Sequence, residues 1–222
     1  MKKIIIIEKI HKSAINILES RKDFNYEIIE NLDFNILKKK IKDCDAIALK
    51  VFKLNKELID SAQKLKIISR HGVGYDNIDL DAVKKKKITL TITKNANAVS
   101  VAEHIFFMIL NISKGMNAYD KCVKEGNFSK KNQLSPTQEL YNKKILIVGF
   151  GNVAKKLIKR CLGFEMKVYI YDPFVDQKTI KSFSGIKVNN LNDGLKEADI
   201  LSLSVPLTEK THNMINLEKM KI

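Results

Sequence analysis

The fold of the second half of this 222-residue chain is decided by Ile145-Leu146-Ile147-Val148-Gly149-Phe150-Gly151-Asn152-Val153-Ala154. Four apolar residues predict a buried strand, and a G-x-G-x-x-A pattern follows where a helix is predicted to begin. The first glycine permits a tight turn, the second lets a phosphate approach the backbone, and a small residue at Ala154 lets helix and strand pack closely. The amides around Asn152 and Val153 are then expected to point at an anion.

An acidic residue follows at the spacing that this pattern requires. Asp172 ends the next predicted strand, Lys167–Tyr171, and lies 21 residues after Gly151. A carboxylate there accepts hydrogen bonds from ribose hydroxyls and repels a 2′-phosphate, so the sequence favours NAD over NADP. Further along, Val205 and Pro206 end another predicted strand at the edge that lines the cofactor crevice. The alternative for Pro206 is that it simply stops the strand.

Strand and helix patterns alternate along the chain, which predicts an α/β protein with parallel sheets. Five strands are predicted in the first part of the chain, at Ile4–Ile7, Tyr26–Ile29, Ala46–Leu49, Lys66–Ser69 and Thr89–Ile92. We therefore predict one domain over residues 1–97. A second alternation begins at Lys144 and predicts another domain over residues 98–222.

The segment Val99–Ala118 predicts a helix of a different kind. Ser100 is its expected N-cap, and Glu103 completes an S-x-x-E capping box. The residues after Glu103 are apolar on nearly all sides of the helix, so it is expected to be buried between domains or against another subunit. Residues 119–143 contain no long apolar run and are predicted to be a loop-rich connection.

The composition narrows the class of protein. The net charge is +15, yet only three of the 40 basic residues are Arg and Trp is absent. Nucleic-acid binders more often use Arg and aromatic residues, so solvated lysine faces are expected, with no nucleic-acid partner. Cys44, Cys122 and Cys161 are odd in number and far apart, which indicates free thiols in a reducing compartment and no metal site. No signal peptide or membrane segment is predicted, so the expected location is the cytoplasm.

Further segments of the chain carry a resemblance to a known family. They are Ile68–Asp79 (ISRHGVGYDNID), Asn95–His104 (NANAVSVAEH), Val123–Phe128 (VKEGNF), Glu139–Leu140, Tyr171–Pro173, Val205–Thr208 and Thr211–Asn213. With these segments the chain resembles the D-isomer-specific 2-hydroxyacid dehydrogenases, most closely their D-3-phosphoglycerate dehydrogenase branch. Residues 1–60 match in pattern alone. Phe128 stands where the family usually has Trp, and Asn142-Lys143-Lys144 replaces its usual Gly-Lys-Thr.

The resemblance implies two domains, a flavodoxin-like substrate domain and a doubly wound Rossmann domain for NAD. It implies hydride transfer between C2 of a small 2-hydroxy or 2-oxo acid and nicotinamide, with 3-phosphoglycerate as one candidate substrate. The implied substrate contacts are Val73 and Gly74, and the implied cofactor contacts are Val73, Gly149, Gly151, Asn152, Val153, Asp172, Val205 and Pro206. The structural alternative for Gly72–Gly74 is a plain strand-to-helix turn. The segment Val99–Asn117 maps to a helix that packs across a homodimer.

The resemblance also implies a catalytic set of Arg, Glu and His, and all three map beyond Ile222. We therefore predict no catalytic residue in the chain and expect the Rossmann domain to be truncated after its fourth strand. His71 and His104 are interpreted as structural. One hypothesis is an enzyme whose remaining part is supplied by a separate C-terminal fragment. The other is a catalytically incomplete subunit that binds NAD or dimerises.

Overall fold

The computed structural model describes residues 1–222 and divides them into two compact units, Met1–Ala96 and Asn97–Ile222. Each unit is built on its own parallel sheet, which confirms the predicted α/β class. No helix in either unit has the length and apolar character needed to cross a bilayer.

The first unit contains five strands and four helices. In chain order they are β1 (Lys2–Ile7), α1 (Lys12–Glu19), β2 (Phe24–Ile29), α2 (Phe34–Ile41), β3 (Ala46–Leu49), α3 (Lys56–Ser61), β4 (Ile67–Arg70), α4 (Leu80–Lys85) and β5 (Thr89–Ile92). The strand order is β2-β1-β3-β4-β5, as expected for a flavodoxin-like sheet. Ile5, Ile6 and Ile7 of β1 are fully buried, and β1 has a neighbouring strand on each side.

The second unit contains four strands and five helices. They are α5 (Ala98–Lys114), α6 (Met116–Lys124), β6 (Lys144–Val148), α7 (Asn152–Gly163), β7 (Lys167–Tyr171), α8 (Gln177–Lys181), β8 (Ile186–Lys187), α9 (Leu191–Glu197) and β9 (Ile200–Leu203). Short 3-10 turns lie at Phe128–Gln133 and Lys219–Lys221. The strand order β8-β7-β6-β9 places β6 inside the sheet, as in a doubly wound fold.

The predicted helix Val99–Ala118 is wrong in three respects. It starts at Ala98, so Ser100 lies in the first turn, and Asn97 at the N-cap makes no side-chain cap. Glu103 therefore closes no capping box and instead accepts a hydrogen bond from Arg160 Nη2 at 2.7 Å. The helix stops at Gly115, whose left-handed φ of +58° ends it.

Within the second unit this helix is buried on one face only. In the second unit α5 buries one face through Ala102, Phe106 and Ile109, while Phe107 is 58% and Ile112 is 82% exposed. The apolar residues on its other sides are therefore not part of the unit's core. The expected loop over residues 119–143 begins with the second half of α6 and includes a 3-10 turn.

One contact is repeated in both units. Asp45, just before β3, accepts the backbone N–H of Lys3 in β1 at 3.0 Å, and Asp199, just before β9, accepts the N–H of Lys144 in β6 at 2.8 Å. The pKa of Asp45 is lowered, first by its hydrogen bond with the Lys2 ammonium and then by the Lys3 amide. The pKa of Asp199 is lowered first by the Lys144 amide. In each unit an acidic residue thus fixes the first residues of the inner strand.

Candidate functional site

The glycine loop of the second unit lies at a topological switch point. The chain leaves β6 towards β7 on one side and returns to β9 on the other, so a crevice opens at the carboxyl end of β6. There the N–H of Gly149 donates to Tyr171 O at 2.8 Å. On the other side, Ser204 N–H donates to Val148 O at 2.8 Å. The loop is therefore anchored between the ends of β7 and β9.

The two glycines of the loop are required for different reasons. Gly149 has φ +94°, and a Cβ on it would lie 2.6 Å from Ser204 O and 2.9 Å from Val205 Cγ1. Only glycine fits both that conformation and that space. Gly151 has φ −82°, which any residue adopts, and no heavy atom lies within 4 Å of a Cβ built on it. The space over Gly151 is open, as the close approach of a pyrophosphate requires.

Helix α7 begins at this open space without a capping side chain. Helices α2, α3, α4 and α8 each start with an Asp or Asn side chain that accepts one of their first amides. The N-cap of α7 is Gly151, which has no side chain to offer. Asn152 and Val153 form its first turn, with Val153 packed on the core and Ala154 fully buried. The amides and dipole of this turn suit an anion.

Asp172 is held beside the glycine loop. Its Oδ2 accepts the N–H of Phe150 at 2.8 Å, and its Oδ1 accepts the N–H of Phe174 at 2.9 Å. Each carboxylate oxygen can accept a further hydrogen bond. The carboxylate therefore has a fixed position and spare acceptor capacity, which suits a pair of ribose hydroxyls.

The segment after β9 forms the other side of the crevice. Val205 packs with Leu146 and Val148, and Pro206 is exposed, its carbonyl accepting a hydrogen bond from Thr211 Oγ1 at 2.5 Å. Ser204 Oγ is buried and has no hydrogen-bond partner. Sequence reasoning did not select Ser204, although its place at a strand end next to Val205 was a usable signal. A bound ligand with a polar group could satisfy this hydroxyl.

The predicted substrate loop, Gly72–Gly74, follows β4 in the first unit. It is pinned by a hydrogen bond from Thr93 N–H to Gly72 O at 3.0 Å. Val73 is 39% exposed, Gly74 is exposed, and their N–H groups donate no hydrogen bond within the chain. Two amide donors without an internal partner on one exposed loop are suited to a carboxylate. Gly72 has φ +156°, which side-chain-bearing residues rarely adopt, and a Cβ on it would displace the flexible end of the Arg70 side chain.

The structure thus distributes the predicted site residues over two places. At the switch point of the second unit it brings together Gly149, Gly151, Asn152, Val153, Asp172, Val205 and Pro206. Val73 and Gly74 lie in the first unit. His71 lies in the first unit and donates its backbone N–H to Leu49 O, and His104 stacks against Phe107 on an exposed part of α5.

Sheet order, glycine loop and acidic strand end define the second unit as a dinucleotide-binding α/β domain. Residues 106–222 match the family model described as D-isomer specific 2-hydroxyacid dehydrogenase, NAD binding domain. The chain belongs to this family, and its second unit is the family's NAD binding domain.

Individual relatives agree with this assignment. The chain is 32% identical over 223 residues to D-3-phosphoglycerate dehydrogenase of Methanocaldococcus jannaschii, covering 100% of this chain and 42% of that protein. It is 31% identical over 229 residues to glyoxylate reductase of Pyrococcus furiosus, covering 99% of this chain and 67% of that protein. Among solved structures, D-lactate dehydrogenase from Aquifex aeolicus complexed with NAD and lactic acid has a TM-score of 0.86 and 31% identity, covering 98% of this chain and 65% of that one.

Proposed function

We propose that the chain is part of an NAD-dependent oxidoreductase that transfers hydride between C2 of a small 2-hydroxy acid and nicotinamide. The observation that supports this most is the glycine loop with its open space over Gly151, together with the carboxylate of Asp172 beside it. When bound, NAD supplies the carbon that takes up the hydride. The chain's own residues bind and orient the two reactants.

Each residue set has a separate task in this proposal. The N-terminal amides of α7, at Asn152 and Val153, hold the pyrophosphate over Gly151. Asp172 accepts the ribose hydroxyls and disfavours a 2′-phosphate, because its own charge would face the phosphate. Val205 and Pro206 form the wall of the cofactor crevice.

In the first unit, the amides of Val73 and Gly74 hold the substrate carboxylate, and Val73 also contacts the cofactor. We assign no proton-transfer role to a residue of this chain.

Titration calorimetry with NAD and NADP tests the cofactor proposal. We expect the folded chain to bind NAD and to bind NADP at least about tenfold more weakly, since one misplaced charge is worth about 1.4 kcal/mol or more. Absence of NAD binding to a chain with a cooperative thermal transition would contradict it. NADH formation from D-2-hydroxy acids then tests turnover.

A second candidate is a subunit that binds NAD or dimerises without turnover of its own. It requires only the glycine loop with Asp172 and the exposed apolar face of α5, all of which lie in the second unit. One measurement distinguishes the two candidate functions. NAD binding without NADH formation from any D-2-hydroxy acid supports the subunit, whereas turnover by the chain alone refutes it.

We further propose a homodimer through the helix predicted at Val99–Asn117. The support is the exposed apolar face of α5, with Phe107 58% and Ile112 82% exposed. Burial of such side chains is worth about 1.5–3 kcal/mol each. Light scattering should give the monomer mass for the Ile112→Lys variant. Ile17→Lys is the control, because Ile17 is an exposed isoleucine on α1.

The three cysteines support a proposal about the cellular compartment of the protein. Cys44, Cys122 and Cys161 are all buried free thiols. Free thiols persist in reducing compartments, so we propose a cytoplasmic location. Fractionation of cells that express the tagged protein would test it.

A further inference from the structure

Strand β9 forms an open edge of the second unit's sheet. In the strand order β8-β7-β6-β9 it is an end strand, and it pairs with β6 along one side. Ser204 N–H donates to Val148 O, on the β6 side. Because successive residues of a strand direct their N–H and C=O groups to opposite edges, those of Leu201 and Leu203 point to the open edge. This edge therefore presents a row of backbone donors and acceptors to another strand.

The open edge of β9 lacks the features that usually discourage strands from pairing, which are charged side chains and very short strands. At the other sheet edges, β2 carries Glu27, and β8 has two residues, one of them Lys187. The exposed residues of β5 are threonines. By contrast, β9 has no charged residue and exposes Leu201 and Leu203. Of the four sheet edges, that of β9 is the best suited to bind another apolar strand.

An apolar groove of about 320 Å³ runs between β9 and α5. Its lining includes Met108 and Ile112 of α5 and contains no charged side chain. Helix α5 covers the face of the sheet on which Ile200 packs. Leu201 and Leu203 alternate with Ile200 along the strand and therefore project from the opposite face. Both faces of the sheet are thus apolar at this edge.

The exposed apolar area at this edge is large enough for a dimer. Phe107, Met108 and Ile112 of α5 and Leu201 and Leu203 of β9 are between 36% and 82% exposed. With about 200 Å² for a fully exposed large side chain, they leave roughly 500 Å² of apolar surface on each copy. Two copies together would bury roughly 1,000 Å², the size that a specific interface needs, before the strand backbones are counted. A second copy of the chain can therefore cover this face.

We propose that two copies of the chain pair through β9, antiparallel about a two-fold axis at Ser202. The two four-stranded sheets then join into one continuous sheet, and the two α5 helices lie beside each other on one of its faces. This proposal rests on the homodimer proposed above and names the strand that completes it. Since each copy has one such edge, the pairing closes at the dimer.

The two-fold axis determines which residues lie opposite each other. Opposite residues of an antiparallel pair project from the same face of the sheet. Ser202 is the residue between the two leucines, so an axis there places Leu201 opposite the partner's Leu203. Those two residues exchange both backbone hydrogen bonds, because their N–H and C=O groups point to the open edge. Ser202 lies opposite its own copy in a pair without backbone hydrogen bonds, with Cα atoms about 4.5 Å apart.

Disulfide cross-linking of the full chain tests this register. A disulfide requires Cα atoms about 4.4–6.8 Å apart, so Ser202→Cys should give a covalent dimer on a non-reducing gel after mild oxidation. Leu203→Cys is the matched control, because Leu203 is more exposed than Ser202 but lies opposite Leu201. The native cysteines are buried and should form no cross-link in the parent chain. Equal cross-linking of the two variants, or none in Ser202→Cys, would refute the register.

Two double variants test the pairing by charge. Leu201→Lys/Leu203→Lys places like charges opposite each other in the proposed dimer, and light scattering should give the monomer mass. Leu201→Lys/Leu203→Glu places opposite charges at the same positions and should dimerise at least about tenfold more tightly than the first variant. Both variants remove the same two leucines, so the lost apolar area is equal in the two. Both should keep the NAD affinity of the parent chain, which shows that they fold.

Each other outcome overturns a stated part of the proposal. A parent chain with the monomer mass contradicts both the β9 pairing and the homodimer. A dimer that both double variants retain and that Ile112→Lys abolishes contradicts the β9 pairing alone. NAD titration of the same samples separates these results from the proposed oxidoreductase function. A folded chain that binds no NAD contradicts that function and leaves the mass measurements unaffected.

Discussion

The two glycines of the cofactor loop provide a matched pair of substitutions with opposite consequences. In Gly149→Ala the new methyl would lie 2.6 Å from Ser204 O and 2.9 Å from Val205 Cγ1, at φ +94°. The positive φ costs about 1–2 kcal/mol and the overlap with a neighbouring strand end about 1–3 kcal/mol. We therefore expect the second unit to lose about 2–5 kcal/mol of its free energy of unfolding.

Gly151→Ala should behave differently. Its φ of −82° suits alanine, and the methyl would meet no atom within 4 Å. Stability should stay within about 1 kcal/mol of the parent, and a reduced entropy of the unfolded chain would favour the variant. NAD affinity should fall at least about tenfold, because the methyl occupies the space of the pyrophosphate.

Urea unfolding and titration calorimetry on the same samples separate the two effects. Unchanged NAD affinity in Gly151→Ala would refute the idea that the open space receives the pyrophosphate. Unchanged stability in Gly149→Ala would show that the loop does not pack against the end of β9. Loss of both stability and affinity in Gly151→Ala would mean that its space is already filled.

Three further predictions concern carboxylates and thiols. Asp172→Ala should narrow the difference between NAD and NADP affinities and lower the Tm, because the N–H of Phe150 loses its acceptor; calorimetry and thermal melts measure both. Asp45→Asn should lower the Tm at neutral pH but not in acid. The folded pKa of Asp45 is depressed, so its stabilisation is present above the ordinary aspartate pKa and is lost as pH falls through the folded value; melts of parent and variant that stay equally far apart in acid would contradict this. Burial raises the pKa of Cys44 and of Cys161 to about 12, so an aromatic disulfide reagent at mildly alkaline pH should label neither in the native chain and both after denaturation.

The strand pattern was predictable from sequence because short runs rich in apolar residues alternate with helix-period segments, and the clearest runs, in β1 and β6, are buried on both faces. Ile145–Val148 and the G-x-G-x-x-A pattern also placed the glycine loop and Asp172 correctly next to each other. These are local features, in which the residue types and their spacing determine the geometry.

The predicted start and end of the helix around Ser100 were wrong for a physical reason. A capping box and an interior first turn differ only by where the helix starts, and here the start is Ala98. Gly115 ends α5 within a sequence pattern that remains helical on both sides. The pattern alone therefore predicts one helix where the structure has two.

Other features depend on contacts between distant residues. Leu49 and Arg70 are 21 positions apart in sequence and lie opposite each other only through the β3–β4 register. The orphaned Ser204 hydroxyl depends on how the loop after β9 packs. No periodicity of a single sequence indicates which polar atoms remain unpaired in the folded protein.

The aspartate contact that recurs in both units also bears on how the chain folds during synthesis. Asp45 reaches back 42 residues to Lys3, and Asp199 reaches back 55 residues to Lys144. In each sheet, the hydrogen bond that fixes the start of the inner strand therefore forms only after a residue synthesised much later has emerged from the ribosome. The first unit has all five strands once Ile92 has left the ribosome, whereas β6 gains its second neighbour only when Leu203 has emerged. Through that interval β6, the most apolar strand of the NAD binding domain, has one unpaired edge. We therefore expect chaperones to be most important for this domain during that interval.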